Sequence, residues 1–138
     1  MKIDSHHHFW KYEPVRYSWM NERMEILKRD YQPADLLIQI EKTGIDGVVS
    51  VQADQSMQET DELLEHASQH EFIKGVVGWF PLADPAVEEM MSEYSGNPWL
   101  KGVRHVVQDE PDDRFILGDA FNEGIRKLKK FDLVYDIL

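Results

Sequence analysis

The strongest constraint on the fold is a short pattern that occurs three times along the chain. An apolar residue, a polar residue and a glycine precede an apolar run in Ile45-Asp46-Gly47, Ile73-Lys74-Gly75 and Leu100-Lys101-Gly102, so the glycines lie 28 and 27 residues apart. This spacing matches one strand plus one helix with their connections. The apolar runs are nearly continuous, which is typical of parallel strands buried on both faces. The spacing indicates structural β/α periodicity and does not establish a genetic repeat.

Helix signals lie between the apolar runs. We predict four helices: one begins with Pro33, one follows the N-cap Ser56 of the capping box Ser56-Met57-Gln58-Glu59, one begins at Pro85 after the N-cap Asp84, and one begins near Asp119; Gly44 is expected to end the first of them. The predicted strands are Lys2–His8, Asp46–Gln52, Ile73–Phe80, Leu100–Val107 and Leu133–Leu138. The chain is therefore predicted to be an α/β protein with five parallel strands.

This alternation is compatible with an open doubly wound sheet or with a closed (β/α)₈ barrel of the TIM type. The open sheet usually has a glycine-rich phosphate loop after its first strand, whereas this chain has Ser5-His6-His7-His8-Phe9-Trp10 there, without glycine. We therefore favour the barrel. Because a whole barrel needs roughly 250 residues, residues 1–138 are expected to be a single, apparently truncated domain, the N-terminal part of a longer protein.

Composition excludes several functional classes. The net charge of -11 disfavours nucleic acid as a partner, because phosphate-binding surfaces need clustered Lys and Arg. The absence of cysteine excludes disulfides and thiolate metal sites. No apolar run has the length of a membrane helix, so no membrane association is expected. The predicted location is cytoplasmic, and exposed sheet edges would allow a homo-oligomer.

Three consecutive histidines end the first predicted strand. In an extended strand His6 and His8 share one face, with Asp4 behind them, and His7 points to the other face. Two imidazoles spaced in this way can begin a divalent metal site, or they can polarise an oxyanion directly. His7 is expected to pack between strand and helix. Asp4 can orient an imidazole or simply fill a polar layer of the barrel.

The segment Ile3-Asp4-Ser5-His6-His7-His8-Phe9-Trp10 resembles the opening strand of the amidohydrolase-related proteins, the "amidohydrolase 2" branch of the amidohydrolase superfamily. Members of this branch typically open with Asp-[Ser/Thr]-His-x-His-Phe-[Trp]. Three later segments fit in order: Val51-Gln52-Ala53, Gly78-Trp79-Phe80-Pro81-Leu82 and Gly102-Val103-Arg104-His105. Together they are similar to the sugar-lactone lactonases of that branch. The resemblance implies a distorted (β/α)₈ barrel that hydrolyses a lactone or a related ester or amide.

By this resemblance, His6 and His8 are catalytic residues and match a pair that binds one divalent metal, with zinc the first choice. Some lactonases of the branch are thought to work without metal, so metal-independent action stays open. Arg104 and His105 match residues expected to hold the oxygens of a small lactone substrate. The family's later histidine and its water-activating aspartate have no counterpart here, so the chain alone is expected to be inactive. The alternatives are a decarboxylase of the same superfamily and a non-catalytic fragment.

Other side chains are candidates for substrate binding. Arg104 and His105 are adjacent in a strand, so their side chains diverge, and Arg104 suits a bidentate carboxylate or a lactone oxygen. Gln52 and Trp79 end two strands and could line a sugar-sized pocket. Tyr17 and Trp19 lie in a long loop that runs to about Tyr31, where they either stack on a sugar ring or cover the barrel mouth. A pair of histidines on the second helix, His66 and His70, is interpreted as part of a solvated face.

Overall fold

A computed structural model describes residues 1–137, which form one parallel sheet with helices packed against it. The five strands are β1 (Ile3–His7), β2 (Gly47–Val51), β3 (Ile73–Gly78), β4 (Leu100–Arg104) and β5 (Val134–Asp136). Their spatial order is the order along the chain, and each neighbouring pair is parallel. Parallel crossovers are right-handed, so this order places every helix on one face. The result is a half-barrel, which confirms the predicted α/β barrel class and excludes the doubly wound sheet for the described residues.

The four α-helices are α1 (Pro33–Thr43), α2 (Met57–Gln69), α3 (Val87–Glu93) and α4 (Asp119–Leu128). Three of them begin where the sequence predicted. Gly44 ends α1 with a left-handed φ of 68°, which a residue without Cβ adopts at little cost. The start of α3 is later than predicted, because the Asp84 side chain accepts a hydrogen bond from the Ala86 backbone and forms a turn before the helix.

The predicted strands extend too far at their carboxyl ends. β3 ends at Gly78 and β4 at Arg104, before the predicted Phe80 and Val107. The polar side chains of Gln52, Trp79 and His105 therefore follow strands rather than lie within them, at the edge where parallel strands deliver functional groups. The prediction that the last strand extends to Leu138 lies in part outside the described residues.

The main core lies between the sheet and the helices. Its fully buried members include Val48, Leu63, Ile73, Phe80, Val87, Val103 and Phe121. A second cluster of Trp10, Tyr17 and Met20 lies under the loop that follows β1. None of the described helices is long and apolar enough to cross a membrane.

Candidate active site

A bulge in β1 shapes the site. Asp4 pairs with Val48 and His7 pairs with Ser50, so β1 holds one residue more than β2 over the same stretch. The Asp4 carboxylate accepts a hydrogen bond of 3.2 Å from the His6 backbone N–H. Asp4 therefore supports the backbone beneath the histidines, and its two predicted roles, to orient an imidazole or to fill a polar layer of the barrel, stay predictions.

The structure brings His6 and His8 together at the end of β1. Their Nε2 atoms are 3.2 Å apart and the rings meet edge to face. His7 turns away, packs edge-on against Phe9 and approaches the Ser50 hydroxyl at 3.3 Å. Burial lowers the pKa of His7 to about 4. The predicted division of the three histidines between two faces is therefore confirmed, although their roles in catalysis stay predictions.

The protons of the histidine pair can be assigned from their partners. The Nδ1 of His8 lies 2.9 Å from the Val51 carbonyl oxygen, which can only accept, so this nitrogen carries the proton. Burial lowers the pKa of His8 to about 4, so the ring is neutral at pH 7 and its Nε2 has a free lone pair. The NH1 of Arg104 lies 3.3 Å from His6 Nε2 and can only donate, so this nitrogen also accepts.

Two facing lone pairs fit a metal ion better than a hydrogen bond. Tetrahedral zinc at 2.0–2.1 Å from two nitrogens holds them roughly 3.3 Å apart, close to the 3.2 Å between these Nε2 atoms. The Val51 carbonyl also fixes the tautomer that a ligand needs. Metal binding at His6 would displace its contact with Arg104. Within residues 1–137 no group of three or more acidic, histidine or cysteine side chains could hold a metal, so the candidate ligands in the described part of the chain are the two nitrogens of this pair.

Arg104 and Gln52 form the most buried polar contact of the site. Gln52 is fully buried and Arg104 is 4% exposed. The Nε and NH2 of Arg104 donate to Gln52 Oε1 at 3.0 and 2.6 Å, and NH2 also donates to the Gln52 backbone carbonyl. Burial lowers the pKa of Arg104 below its usual range. The guanidinium therefore points its NH1 towards the histidines.

His105 lies on the other side of β4, as the divergence of neighbouring side chains predicts. Its Nδ1 accepts from the Trp79 indole N–H at 3.2 Å, so its Nε2 carries the proton and donates to the Glu110 carboxylate at 2.6 Å. The ring stacks on Phe115 at 4.9 Å. Both ring nitrogens of His105, and the indole N–H of Trp79, are thus engaged within the chain. His105 and Trp79 therefore connect the segments that follow β3 and β4. A contact of either side chain with substrate through these nitrogens, as predicted, would require the hydrogen bonds between Trp79, His105 and Glu110 to break.

The long loop after β1 is closed by backbone pairing. Trp10 and Tyr31 exchange hydrogen bonds of 3.0 and 2.9 Å, which confirms the predicted extent of the loop. Tyr17 is only 1% exposed and packs in the second core cluster, whereas Trp19 is 41% exposed. For Tyr17 the structure favours covering and packing over the predicted contact with a sugar. Trp19 remains accessible to a ligand.

Glu59 is a buried carboxyl group, whereas the sequence pattern indicates only a place in a capping box. Ser56 does cap α2 through the Glu59 N–H, but the Glu59 side chain turns the other way. Its Oε2 accepts from the backbone N–H groups of Ala53 and Asp54 at 2.7 Å each, and its Oε1 accepts from the Tyr17 hydroxyl at 3.2 Å. Glu59 thus joins the loops after β1 and β2. A glutamate at this helix position carries no sequence signal that separates the two roles.

The Glu59 carboxyl is expected to make stability depend on pH. Burial raises the pKa of Glu59 to about 7, whereas an unfolded glutamate titrates near pH 4.3. Between these pH values the folded chain holds a proton that the unfolded chain has lost. The proton on Glu59 therefore stabilises the folded chain at low pH, and this stabilisation falls as the pH rises and is lost above about pH 7. Glu59→Gln cannot titrate. The free energy of unfolding of Glu59→Gln minus that of the wild type is expected to increase by about 2–3 kcal/mol between pH 5 and pH 8.

Denaturant unfolding at each pH measures this difference. The acid titration of His7 and His8 is common to both proteins and cancels in it. Glu65→Gln, on the exposed face of the same helix, is the control and should change the free energy of unfolding by less than about 0.5 kcal/mol. An advantage of the Glu59 variant that stays constant over this pH range would contradict the assignment.

Comparison with known proteins agrees with this geometry. Residues 3–138 match the amidohydrolase family. The chain belongs to this family. This amidohydrolase chain is 40% identical over 139 residues to an L-fucono-1,5-lactonase of Burkholderia multivorans (strain ATCC 17616 / 249) and 29% identical to an L-fucono-1,5-lactonase of Burkholderia ambifaria. These alignments cover 100% and 99% of the chain but 47% of each relative. The chain therefore spans about half the length of the curated relatives it matches.

Solved amidohydrolases share the fold of this chain. It superposes on an amidohydrolase of Burkholderia multivorans with bound Zn at a TM-score of 0.94 and 38% identity, over 100% of this chain and 49% of that one. A second crystal form of that protein, with bound HEPES, gives the same TM-score. A probable 2-pyrone-4,6-dicarboxylic acid hydrolase of Acinetobacter baumannii, at 10% identity and a TM-score of 0.70, shows the fold alone.

Proposed function

We propose that this amidohydrolase chain contributes half of the barrel and half of the catalytic site of a hydrolase that opens sugar-acid lactones by attack of water on the carbonyl. The observation that carries the proposal is the convergence of the Nε2 atoms of His6 and His8 with NH1 of Arg104. The names of the relatives, both L-fucono-1,5-lactonases, support the substrate class. A cytoplasmic location and a homo-oligomer remain predictions.

Each group in this cluster has a task that its chemistry permits. A zinc ion held by His6 and His8 would supply Lewis acidity towards the lactone carbonyl. His8 is held neutral by burial and kept in one orientation by the Val51 carbonyl. Arg104 has an N–H that can bind the substrate oxygen on which negative charge develops, in a position where water is largely excluded. Trp19 is available to cover a bound sugar ring.

In the proposed enzyme the site is completed by further residues of a longer protein, since the chain covers only 47% of each lactonase relative. By the family resemblance, the base that takes the proton from water is one of them. The 138-residue chain alone is therefore expected to bind zinc but to show no turnover of a sugar lactone. A protein of the relatives' length that contains this chain is expected to hydrolyse the lactone.

Two measurements test this expectation together. Zinc titration of the 138-residue chain, followed by the NMR signals of the histidine rings, should perturb His6 and His8 and leave His66 and His70 unchanged. A proton-release assay with an aldonolactone, with and without chelator, should show turnover of the longer protein only. Turnover that survives complete metal removal would assign polarisation to the histidines and Arg104 themselves. No turnover by the longer protein on a series of aldonolactones would reject the function.

A further inference from the structure

The contact between Arg104 and Gln52 has a consequence for the class of substrate. A guanidinium usually binds a carboxylate through two parallel N–H groups, one on each of two neighbouring nitrogens. In this chain Nε and NH2 are directed at the oxygens of Gln52, and NH2 donates to both the side-chain and the backbone oxygen. A guanidinium can bind both oxygens of a carboxylate through two pairs of nitrogens, Nε with NH2 or NH1 with NH2. Both pairs include NH2, which is occupied by Gln52, so neither pair is free.

Arg104 retains a single nitrogen for ligands. NH1 carries two N–H groups, one of which is directed at His6 Nε2 at 3.3 Å. An uncharged carbonyl or ring oxygen needs only one or two donors, and NH1 can supply them. A carboxylate would find one nitrogen where it needs two.

The surrounding charges also disfavour an anionic ligand. Asp136 lies opposite Arg104 in the register of β4 and β5, and its negative charge acts on the guanidinium. The chain as a whole carries a net charge of -11. An anionic ligand would add a negative charge to a region that already balances its buried cation, whereas an uncharged lactone would not.

The amide of Gln52 is oriented by the same bonds. Because Arg104 can only donate, Oε1 must face it and Nε2 must face away. This Nε2 is buried and has no acceptor within residues 1–137. A buried donor without an acceptor is costly, and a substrate oxygen would satisfy it.

We propose that Gln52 is a positioning residue which closes the carboxylate-binding edges of Arg104 and so makes the site selective for an uncharged lactone over one that bears a carboxylate. This inference rests on the proposed lactonase function. It replaces the predicted bidentate contact of Arg104 with a carboxylate by a contact through NH1 alone.

The first test measures whether the guanidinium of Arg104 is held in one orientation in the 138-residue chain, without any substrate. In ¹⁵N NMR spectra a guanidinium that is held on one side shows separate Nη1 and Nη2 signals, whereas a freely rotating one shows an average. We expect separate signals for Arg104 in the wild type and in Gln52→Glu, which keeps the acceptor oxygens. Gln52→Met has similar volume and removes Oε1, the acceptor of two of the three hydrogen bonds, so that only the backbone carbonyl of residue 52 is left; it should give averaged signals. Separate signals in Gln52→Met would overturn the role of Gln52.

The second test measures selectivity in the longer protein that contains this chain. An aldonolactone is compared with the matched aldarolactone, which has a carboxylate in place of the terminal hydroxymethyl group. We expect the wild type and Gln52→Glu to prefer the uncharged lactone by about tenfold or more in kcat/KM, since one charge-assisted hydrogen bond corresponds to a factor of this size. In Gln52→Met the preference should shrink, through a lower KM for the aldarolactone.

The outcomes separate this inference from the proposed function. Preference of the wild type for the aldarolactone, or an unchanged ratio in Gln52→Met with averaged Arg104 signals, would overturn the selectivity while the lactonase function stands. Hydrolysis of neither lactone would reject the function and the selectivity together, and the NMR result would then still decide whether Gln52 holds Arg104. A loss of folding in Gln52→Met, seen by circular dichroism, leaves the decision to Gln52→Glu: averaged signals there would contradict the proposal.

Discussion

Replacement of His8 by alanine is expected to lower the affinity of the chain for zinc by at least about 100-fold, because the loss of a ligand should exceed the 10- to 100-fold cost of losing an outer partner. In the longer protein that contains this chain, turnover of the lactone should fall by about 1000-fold. A Lewis acid stabilises a transition state by several kcal/mol, and about 4 kcal/mol corresponds to this factor. Titration calorimetry and lactone hydrolysis measure the two effects.

His70→Ala is the matched control for this experiment. His66 and His70 are spaced by four residues on α2 and form the other histidine pair singled out in the sequence, with ring centroids 6.4 Å apart. Because they belong to an outer helix, removal of His70 should leave zinc affinity and turnover unchanged. If His70→Ala lowers zinc affinity as much as His8→Ala does, the metal binds to α2 and the assignment to the barrel mouth is wrong.

Replacement of Gly124 by alanine is expected to cost about 3 kcal/mol of stability, the upper part of the range for overpacked cores. Gly124 lies in α4, where the helix crosses the chain just after β3. A Cβ on this residue would lie 1.9 Å from the Leu82 carbonyl oxygen, a backbone atom that cannot rotate away. The helix must therefore shift from the sheet or the turn at Leu82 must deform. For a chain of this size, we expect the Tm to fall by about 10 °C.

Gly44→Ala separates steric clash from backbone strain. Gly44 has a left-handed φ of 68°, and nothing lies within 4 Å of an added Cβ. Its replacement should cost about 1 kcal/mol, the penalty of that conformation for a residue with a side chain. In thermal unfolding, the Tm of Gly124→Ala should thus be well below the Tm of Gly44→Ala. Equal melting temperatures would show that α4 adapts to the extra methyl group and that its contact with Leu82 is loose.

The local signals in the sequence predicted most of the framework. The recurring glycines, Pro33, Gly44 and Ser56 act within a few residues of their own position, so the helix and strand boundaries that depend on them could be predicted closely. The choice of a barrel over an open sheet is confirmed by the consecutive strand order. The predicted start of α3 was wrong because the Asp84 side chain can cap either a turn or a helix, and the local sequence does not distinguish the two.

The candidate site was only partly predictable. The alternation of a strand placed His6 and His8 on one face and separated Arg104 from His105, since side-chain direction in a strand follows from position alone. The partners of these residues were beyond such reasoning. Arg104 meets a glutamine 52 positions away, and Tyr17 meets Glu59 at a separation of 42. For Tyr17 the sequence left open a contact with a sugar or a covering role at the barrel mouth, and its burial favours the covering role.

By itself, the sequence determined the β/α repeat, the parallel half-barrel and the pairing of His6 with His8, because period, helix capping and strand alternation are local properties of the chain. Tertiary structure alone decided what each polar group does. It decided that Gln52 occupies the carboxylate-binding edges of Arg104, that Glu59 joins two loops instead of capping its helix, and that both nitrogens of His105 are engaged. A buried polar group must find partners wherever the fold brings donors and acceptors within about 3 Å, and those distances exist only after the strands have paired.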